Sequence, residues 1–140
     1  TTAYLAGADS RDRVMTFEGC PAVAEMARLN WDKLGLKNIE CVQGNIDDTL
    51  QAHLAGQVDV AFVDANHTRE ATLRYFDILA QHVGRKSVVV MDDIHYSREM
   101  GKAWEEICNR KNVACTMDLY KMGLVFFDPD YLHKHYKLRL

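Results

Sequence analysis

The apolar run at residues 58–63, VDVAFV, constrains the fold of this 140-residue chain more than any other feature. Its nearly continuous β-branched and aromatic character predicts a strand covered on both faces, as is typical of a parallel sheet between layers of helices. Three polar side chains follow the run at once: Asp64, Asn66 and His67. In open α/β sheets the ligand crevice lies beyond the carboxyl ends of the strands, so we expect the chemistry of this chain there.

A second apolar run, at 87–91, ends in the same way, with Asp92, Asp93 and His95. Around the two runs the chain alternates between strand and helix patterns. The closely spaced apolar segments at 113–119 and 124–127 exclude a parallel crossover and predict an antiparallel hairpin. Strands are predicted at 14–17, 39–42, 58–63, 87–91 and, as a short edge strand, 136–140, and helices at 3–6, 21–34, 45–56, 68–83 and 97–108.

The sum is an α/β fold with a Rossmann-like, doubly wound, mostly parallel sheet, helices on both faces and a C-terminal antiparallel hairpin. With no linker and no repeat, we expect a single domain over residues 1–140. Asn45 and Ser97 are the residue types that favour helix N-caps. The side chains predicted to face the core are Val23, Met26, Ala27, Trp31 and Leu34 in the second helix, Leu73, Phe76, Leu79, Ala80 and Val83 in the fourth, and Met100, Ala103, Trp104, Ile107 and Cys108 in the fifth.

Charge and composition exclude several classes of protein. A net charge of -3 and a pI near 6.0 argue against nucleic-acid binding through a basic surface. No apolar run approaches the roughly 20 residues of a membrane span. The four cysteines form no C-x-x-C pair, which favours reduced thiols and a cytoplasmic location. We therefore expect neither nucleic acid nor membrane as a partner.

The residues at the strand ends resemble, in order along the chain, those of class I S-adenosylmethionine-dependent methyltransferases of the small-molecule O-methyltransferase-like branch. The terminal hairpin fits that family as well. The matching residues are Glu18-Gly19 after the first strand, Gly44-Asn45-Ile46 after the second, Asp64 to His67 after the third and Asp92-Asp93 after the fourth.

The resemblance implies that S-adenosylmethionine is the cofactor and that Glu18, Gly19, Asn45, Ile46 and Asp64 bind it. Glu18 would accept hydrogen bonds from the two ribose hydroxyls, a task suited to the two oxygens of a carboxylate. Asn45 and Ile46 would contact the adenine. Simpler roles stay open, since Glu18 fits an exposed carboxylate near a helix start and Asn45 fits an N-cap alone.

Asp64 and His67 are the predicted catalytic residues. The resemblance places Asp64 beside the reactive end of the cofactor, and His67 would act as general base. In catechol-type relatives a divalent ion sits here, so Asp64, Asp92 and Asp93 are the predicted ligands of Mg²⁺, Mn²⁺ or Ca²⁺. Hydrated loop carboxylates and a surface histidine are the alternatives, and His95 carries the same ambiguity with less support.

The implied function is methyl transfer from S-adenosylmethionine to a hydroxyl or amine of a small molecule, with metal assistance as an option. The chain departs from the family in having no G-x-G turn, and we expect the family's first strand to be missing. The chain by itself is then predicted to bind cofactor weakly or be inactive, and its unpaired sheet edge would favour a homo-oligomer. The alternatives are another Rossmann-type nucleotide-cofactor enzyme, such as an oxidoreductase, and a non-catalytic binding or dimerising module.

Overall fold

The computed structural model describes residues 1–138, in which helices and strands alternate up to a C-terminal group of three strands. The helices are α1 (Thr2–Ala8), α2 (Pro21–Lys33), α3 (Ile46–His53), α4 (Arg69–Leu79) and α5 (Arg98–Cys108). The strands are β1 (Val14–Glu18), β2 (Ile39–Gln43), β3 (Val58–Val63), β4 (Val83–Asp92), β5 (Cys115–Asp118), β6 (Met122–Phe126) and β7 (Lys134–Lys137).

The chain forms two compact units, of which the first is Thr1–Leu54. Its strands β1 and β2 are parallel, with Val14 opposite Ile39 and Glu18 opposite Gln43. This register brings the carboxyl ends of the two strands to the same level. Its buried apolar side chains are Ala6, Ala24, Val42 and Leu50.

The second unit begins at Ala55 and contains a five-stranded sheet in the order β3-β4-β6-β5-β7. Strands β3 and β4 are parallel, with Val63 opposite Met91, and β6 runs antiparallel to both β4 and β5. The carboxyl ends of β3, β4 and β5 therefore lie at one edge of this sheet. The predicted α/β fold with a terminal antiparallel hairpin is confirmed.

Helices α4 and α5 pack against each other in the second unit, where Phe76 stacks on Phe127 with 6.4 Å between ring centroids. The predicted apolar stripe of α5 is confirmed in full, because each of its members is buried. A regular 3.6-residue pattern identifies the inward face when other elements cover that face.

The N-cap of α5 offers a simple test of how local side chains stabilise this fold. The Ser97 hydroxyl accepts a hydrogen bond from the backbone N–H of Met100 at 3.1 Å. Replacing Ser97 with alanine leaves that N–H without its cap and is expected to lower the free energy of unfolding by about 1 kcal/mol. Chemical denaturation measures the change, and Ser10→Ala in an exposed turn is the control, expected to change little.

The predicted end of the fourth helix is wrong, because α4 ends at Leu79 instead of reaching Val83. The backbone N–H of His82 donates a hydrogen bond to the carbonyl of Leu79, and the His82 carbonyl accepts one from the N–H of Val58 at 2.8 Å. This bond draws the chain into the sheet, and Val83 pairs with Val58 at the start of a strand longer than predicted. The apolar spacing up to Val83 fits a helix as well as a strand, so the pattern alone did not show where α4 ends and β4 begins.

Two predictions about burial are also wrong. Val23 and Met26 on α2 and Leu34 at its C-cap are exposed, because the narrow two-stranded sheet beneath the helix covers Ala24 but not the outer part of the stripe. On β3, Val60 is 54% exposed, although the strand was expected to be covered on both faces. Strand β3 lies at the edge of its sheet, where fewer elements pack against it.

At the C-terminus, β7 is an edge strand that pairs in parallel with β5, two residues earlier than the predicted start at residue 136. Arg139 and Leu140, which the prediction included, lie outside the described residues. None of the helices in residues 1–138 has the length and apolar character that crossing a membrane requires. All four cysteines are thiols, and burial raises the pKa of Cys108 and of Cys115.

Candidate functional site

In the first unit, Glu18 lies at the carboxyl end of β1, and one of its two carboxylate oxygens accepts a hydrogen bond. The backbone N–H of Cys20, at the N-cap of α2, donates to Oε1 at 2.8 Å. Among residues 1–138, Oε2 has no hydrogen-bond partner. The short bond fixes the carboxylate at the strand end and leaves one oxygen available to a ligand.

Gly19 and Asn45 flank this carboxylate at the ends of the two parallel strands. The N–H of Gly44 donates to the carbonyl of Glu18 at 3.0 Å, and a Cβ on Gly19 would lie 3.7 Å from the Gly44 carbonyl oxygen. Asn45 Oδ1 accepts from the N–H of Asp47 at 3.1 Å, so its predicted N-cap role is confirmed. The amide nitrogen of Asn45 and the half-buried Ile46 remain available to a ligand.

In the second unit, three side chains from the ends of β3 and β4 converge. His67 Nε2 lies 3.6 Å from Asp64 Oδ1 and 3.5 Å from Asp93 Oδ2. This nitrogen is buried and has no hydrogen-bond partner. A buried polar atom without a partner is costly, and such atoms are common where a ligand supplies the missing contact. The tilted ring of Tyr96 covers His67, with 5.4 Å between centroids.

Asp92 Oδ1 does not take part in this cluster, because it accepts a hydrogen bond from the backbone N–H of Asp93. Asp93 has a φ of 52°, a conformation that costs energy for a side chain other than glycine and that recurs at functional sites. Within residues 1–138, no group of three or more His, Cys, Asp or Glu side chains is arranged to hold a metal ion. The carboxylates of Asp64 and Asp93 face an imidazole instead, so the predicted metal ligands do not fit an ion as arranged.

Sequence reasoning missed Asp118, at the carboxyl end of β5. Its side chain is 3% exposed, and its Oδ2 lies 2.9 Å from Nε2 of His95. The signal was present, because an acid at the end of a strand is the feature that identified Asp64. The predicted strand at 113–119 runs past Asp118, so Asp118 was not recognised as a residue at a strand end.

The structure thus brings together two sets of predicted residues, one in each unit. Glu18, Gly19 and Asn45 meet at the ends of β1 and β2, and Asp64 and His67 meet at the ends of β3 and β4. A common rim for both sets stays a prediction. Polar groups at the ends of parallel strands, followed by helix N-termini, define the class of Rossmann-like nucleotide-binding proteins.

Within that class, comparison with known proteins gives the family. Residues 1–94 match a family model described as a methyltransferase domain. The match spans more than half of the chain, and the chain belongs to this methyltransferase family.

A sequence relative supports this family. The chain is 34% identical over 96 residues to the catechol O-methyltransferase of Mycobacterium tuberculosis, a stretch that is 67% of this chain and 43% of that protein. The chain thus spans less than half of the length of this relative.

Two crystal structures share the fold. Cofactor-bound Rv0187 from MTB has a TM-score of 0.79 at 24% identity, with 91% of this chain and 67% of that chain covered. An O-methyltransferase from Bacillus cereus in complex with SAH has a TM-score of 0.73 at 21% identity, with 89% and 68% covered.

Proposed function

We propose that this domain binds S-adenosylmethionine and transfers its methyl group to a hydroxyl or amine of a small molecule. The observation that carries the proposal is the buried, unpartnered Nε2 of His67 between two carboxylates, in a chain of the methyltransferase family. A relative at 34% identity named as a catechol O-methyltransferase supports transfer to oxygen.

Glu18, Gly19, Asn45 and Ile46 would hold the nucleoside part of the cofactor. The available Oε2 of Glu18 suits a ribose hydroxyl, since a carboxylate accepts hydrogen bonds from hydroxyls strongly. Gly19, without a side chain, keeps the space beside the Gly44 carbonyl open. The Asn45 amide can donate to a ring nitrogen while its oxygen caps α3.

Bound S-adenosylmethionine supplies a methyl group on a positively charged sulfur. The tasks left to this chain are to hold the acceptor in line with that methyl group and to remove the acceptor's proton. The imidazole of His67 would take the proton, and the carboxylates of Asp64 and Asp93, which face its Nε2, would stabilise the resulting positive charge. Asp64 also lies where it can orient the acceptor.

Cofactor binding is tested by calorimetry with S-adenosylhomocysteine, for which we expect saturable binding to one site. Glu18→Gln replaces a charged acceptor with a neutral one and is expected to weaken binding about tenfold. Glu25→Gln, which removes the same charge from the exposed face of α2, is the matched control and should bind like the wild type. The proposal fails if S-adenosylhomocysteine does not bind, and binding of a nicotinamide dinucleotide instead would favour the oxidoreductase alternative.

Metal assistance through Asp64, Asp92 and Asp93 stays a prediction, and no step of the proposed reaction uses a metal. Because His67 occupies the space facing Asp64 and Asp93, methyl transfer is expected to survive treatment with EDTA. Transfer rates before and after chelation measure this, with MgCl₂ added back as the control. Loss of activity that MgCl₂ restores would support the predicted ion.

A further inference from the structure

A second histidine, His95, is fixed at the same sheet edge as His67 by a carboxylate that the proposed reaction does not use. The two side chains come from different segments: His95 follows β4, and Asp118 ends β5. Their Nε2 and Oδ2 atoms are 2.9 Å apart. Since β4 and β5 have their carboxyl ends at one edge, the pair spans that edge of the sheet.

Asp118 is held rigidly. Its Oδ1 accepts from the N–H of Tyr120 at 2.8 Å, and its backbone carbonyl accepts from the N–H of Leu138 at the same distance. Strand β5 lies between β6 and β7, so its end is supported on both sides. A buried carboxylate needs hydrogen-bond donors, and the imidazole N–H of His95 is one of them.

The bond to Asp118 decides which nitrogen of His95 can serve a ligand. A carboxylate only accepts, so Nε2 must carry the hydrogen, and the neutral ring then has its lone pair on Nδ1. The His95 side chain is 35% exposed, and Nδ1 has no hydrogen-bond partner among residues 1–138. The centroids of the Tyr120 and His95 rings are 5.8 Å apart, so an aromatic ring lies beside the imidazole.

We propose that His95 binds the methyl acceptor, with Nδ1 accepting a hydrogen bond from its O–H or N–H group, and that Asp118 is the positioning residue that presents Nδ1 for this contact. The inference rests on the proposed function, which it extends by requiring an acceptor with a hydrogen-bond donor near the reacting atom. His95 lies two residues after Asp93, which contacts His67. A ring that only anchored its loop to Asp118 would need Nε2 and not Nδ1.

The two nitrogens can be tested separately. In His95→Gln the side-chain amide reaches the position of Nε2 and can still donate to Asp118, but the Nδ1 acceptor is gone. In His95→Asn the amide takes the position of Nδ1, and the bond to Asp118 is lost. An anchoring role predicts that the glutamine variant behaves like the wild type, whereas acceptor binding predicts that it is impaired.

The probe is catechol, which has two hydroxyl donors, and the control probe is 1,2-dimethoxybenzene, which has the same ring and no donor. Long-range ¹H–¹⁵N spectra of histidine-labelled protein should show hydrogen on Nε2 of His95 and none on Nδ1. Catechol should shift the Nδ1 resonance and 1,2-dimethoxybenzene should not. His95→Gln should bind catechol about tenfold more weakly at an unchanged melting temperature.

Asp118→Asn gives an independent readout, because an amide can donate as well as accept. We expect this variant to lose the fixed Nε2–H form of His95 and to lose part of the catechol affinity. The proposal is overturned if catechol leaves the His95 resonances unmoved, if both probes shift them equally, or if His95→Gln binds catechol like the wild type. These measurements need no cofactor, so their failure is distinct from a failure to bind S-adenosylhomocysteine.

Discussion

In the proposed reaction, with catechol as the acceptor tested, replacement of His67 by glutamine is expected to lower kcat by about 100-fold or more, because general-base catalysis contributes factors of this size. Glutamine keeps a polar group between Asp64 and Asp93 but cannot take a proton at neutral pH. The binding of S-adenosylhomocysteine should not change, since the residues assigned to the nucleoside lie at the ends of β1 and β2.

Rates with radiolabelled S-adenosylmethionine over a range of catechol concentrations measure the effect. His133→Ala, in the exposed C-terminal segment, is the control for loss of a histidine and should keep the wild-type rate. A His67→Gln enzyme with unchanged kcat would remove His67 from the chemistry. The buried position of Nε2 would then need another explanation.

Replacement of Gly123 by alanine is expected to lower the free energy of unfolding by about 2–3 kcal/mol, the upper part of the usual range for overpacking a tight core. Gly123 lies in β6, opposite Met91 of β4. An added Cβ would come within 2.5 Å of Cζ3 of Trp104, a contact that real structures do not tolerate. Trp104 is buried on α5, so its ring has little room to move.

Two further variants decide whether this contact is the cause. Gly101→Ala places a methyl group on the same helix with nothing within 4 Å, and it should be neutral or stabilising by about 0.5–1 kcal/mol. Combining Gly123→Ala with Trp104→Phe removes the atoms that clash, so the double variant should lose less stability than the sum of the single ones. Denaturant melts of the wild type, the three single variants and the double variant measure the changes, and additive losses would show that the clash is not the source.

The candidate site shows which functional residues can be predicted from polar side chains at the ends of strands. The rule that ligands gather at the carboxyl ends of parallel strands identified Asp64 and His67, and the structure brings them together, with Asp93 on the other side of His67 Nε2. The same rule, applied to a segment with a misplaced boundary, missed Asp118. Whether Asp64, Asp92 and Asp93 bind a metal ion stays a prediction for a different reason: sequence order brings them to one edge, but only side-chain orientation decides whether three carboxylates share an ion or surround an imidazole.

What the sequence determined by itself is the order and type of the elements, because local signals control them: the Asn45 and Ser97 caps, the period of α5 and the short connection before β6. What only the tertiary structure decided is which apolar surfaces are covered and which polar atoms meet. The stripe of α2 and that of α5 have the same period, yet one is largely exposed and the other is buried. Burial and pairing depend on neighbours that are distant in the chain, and periodicity carries no information about those neighbours.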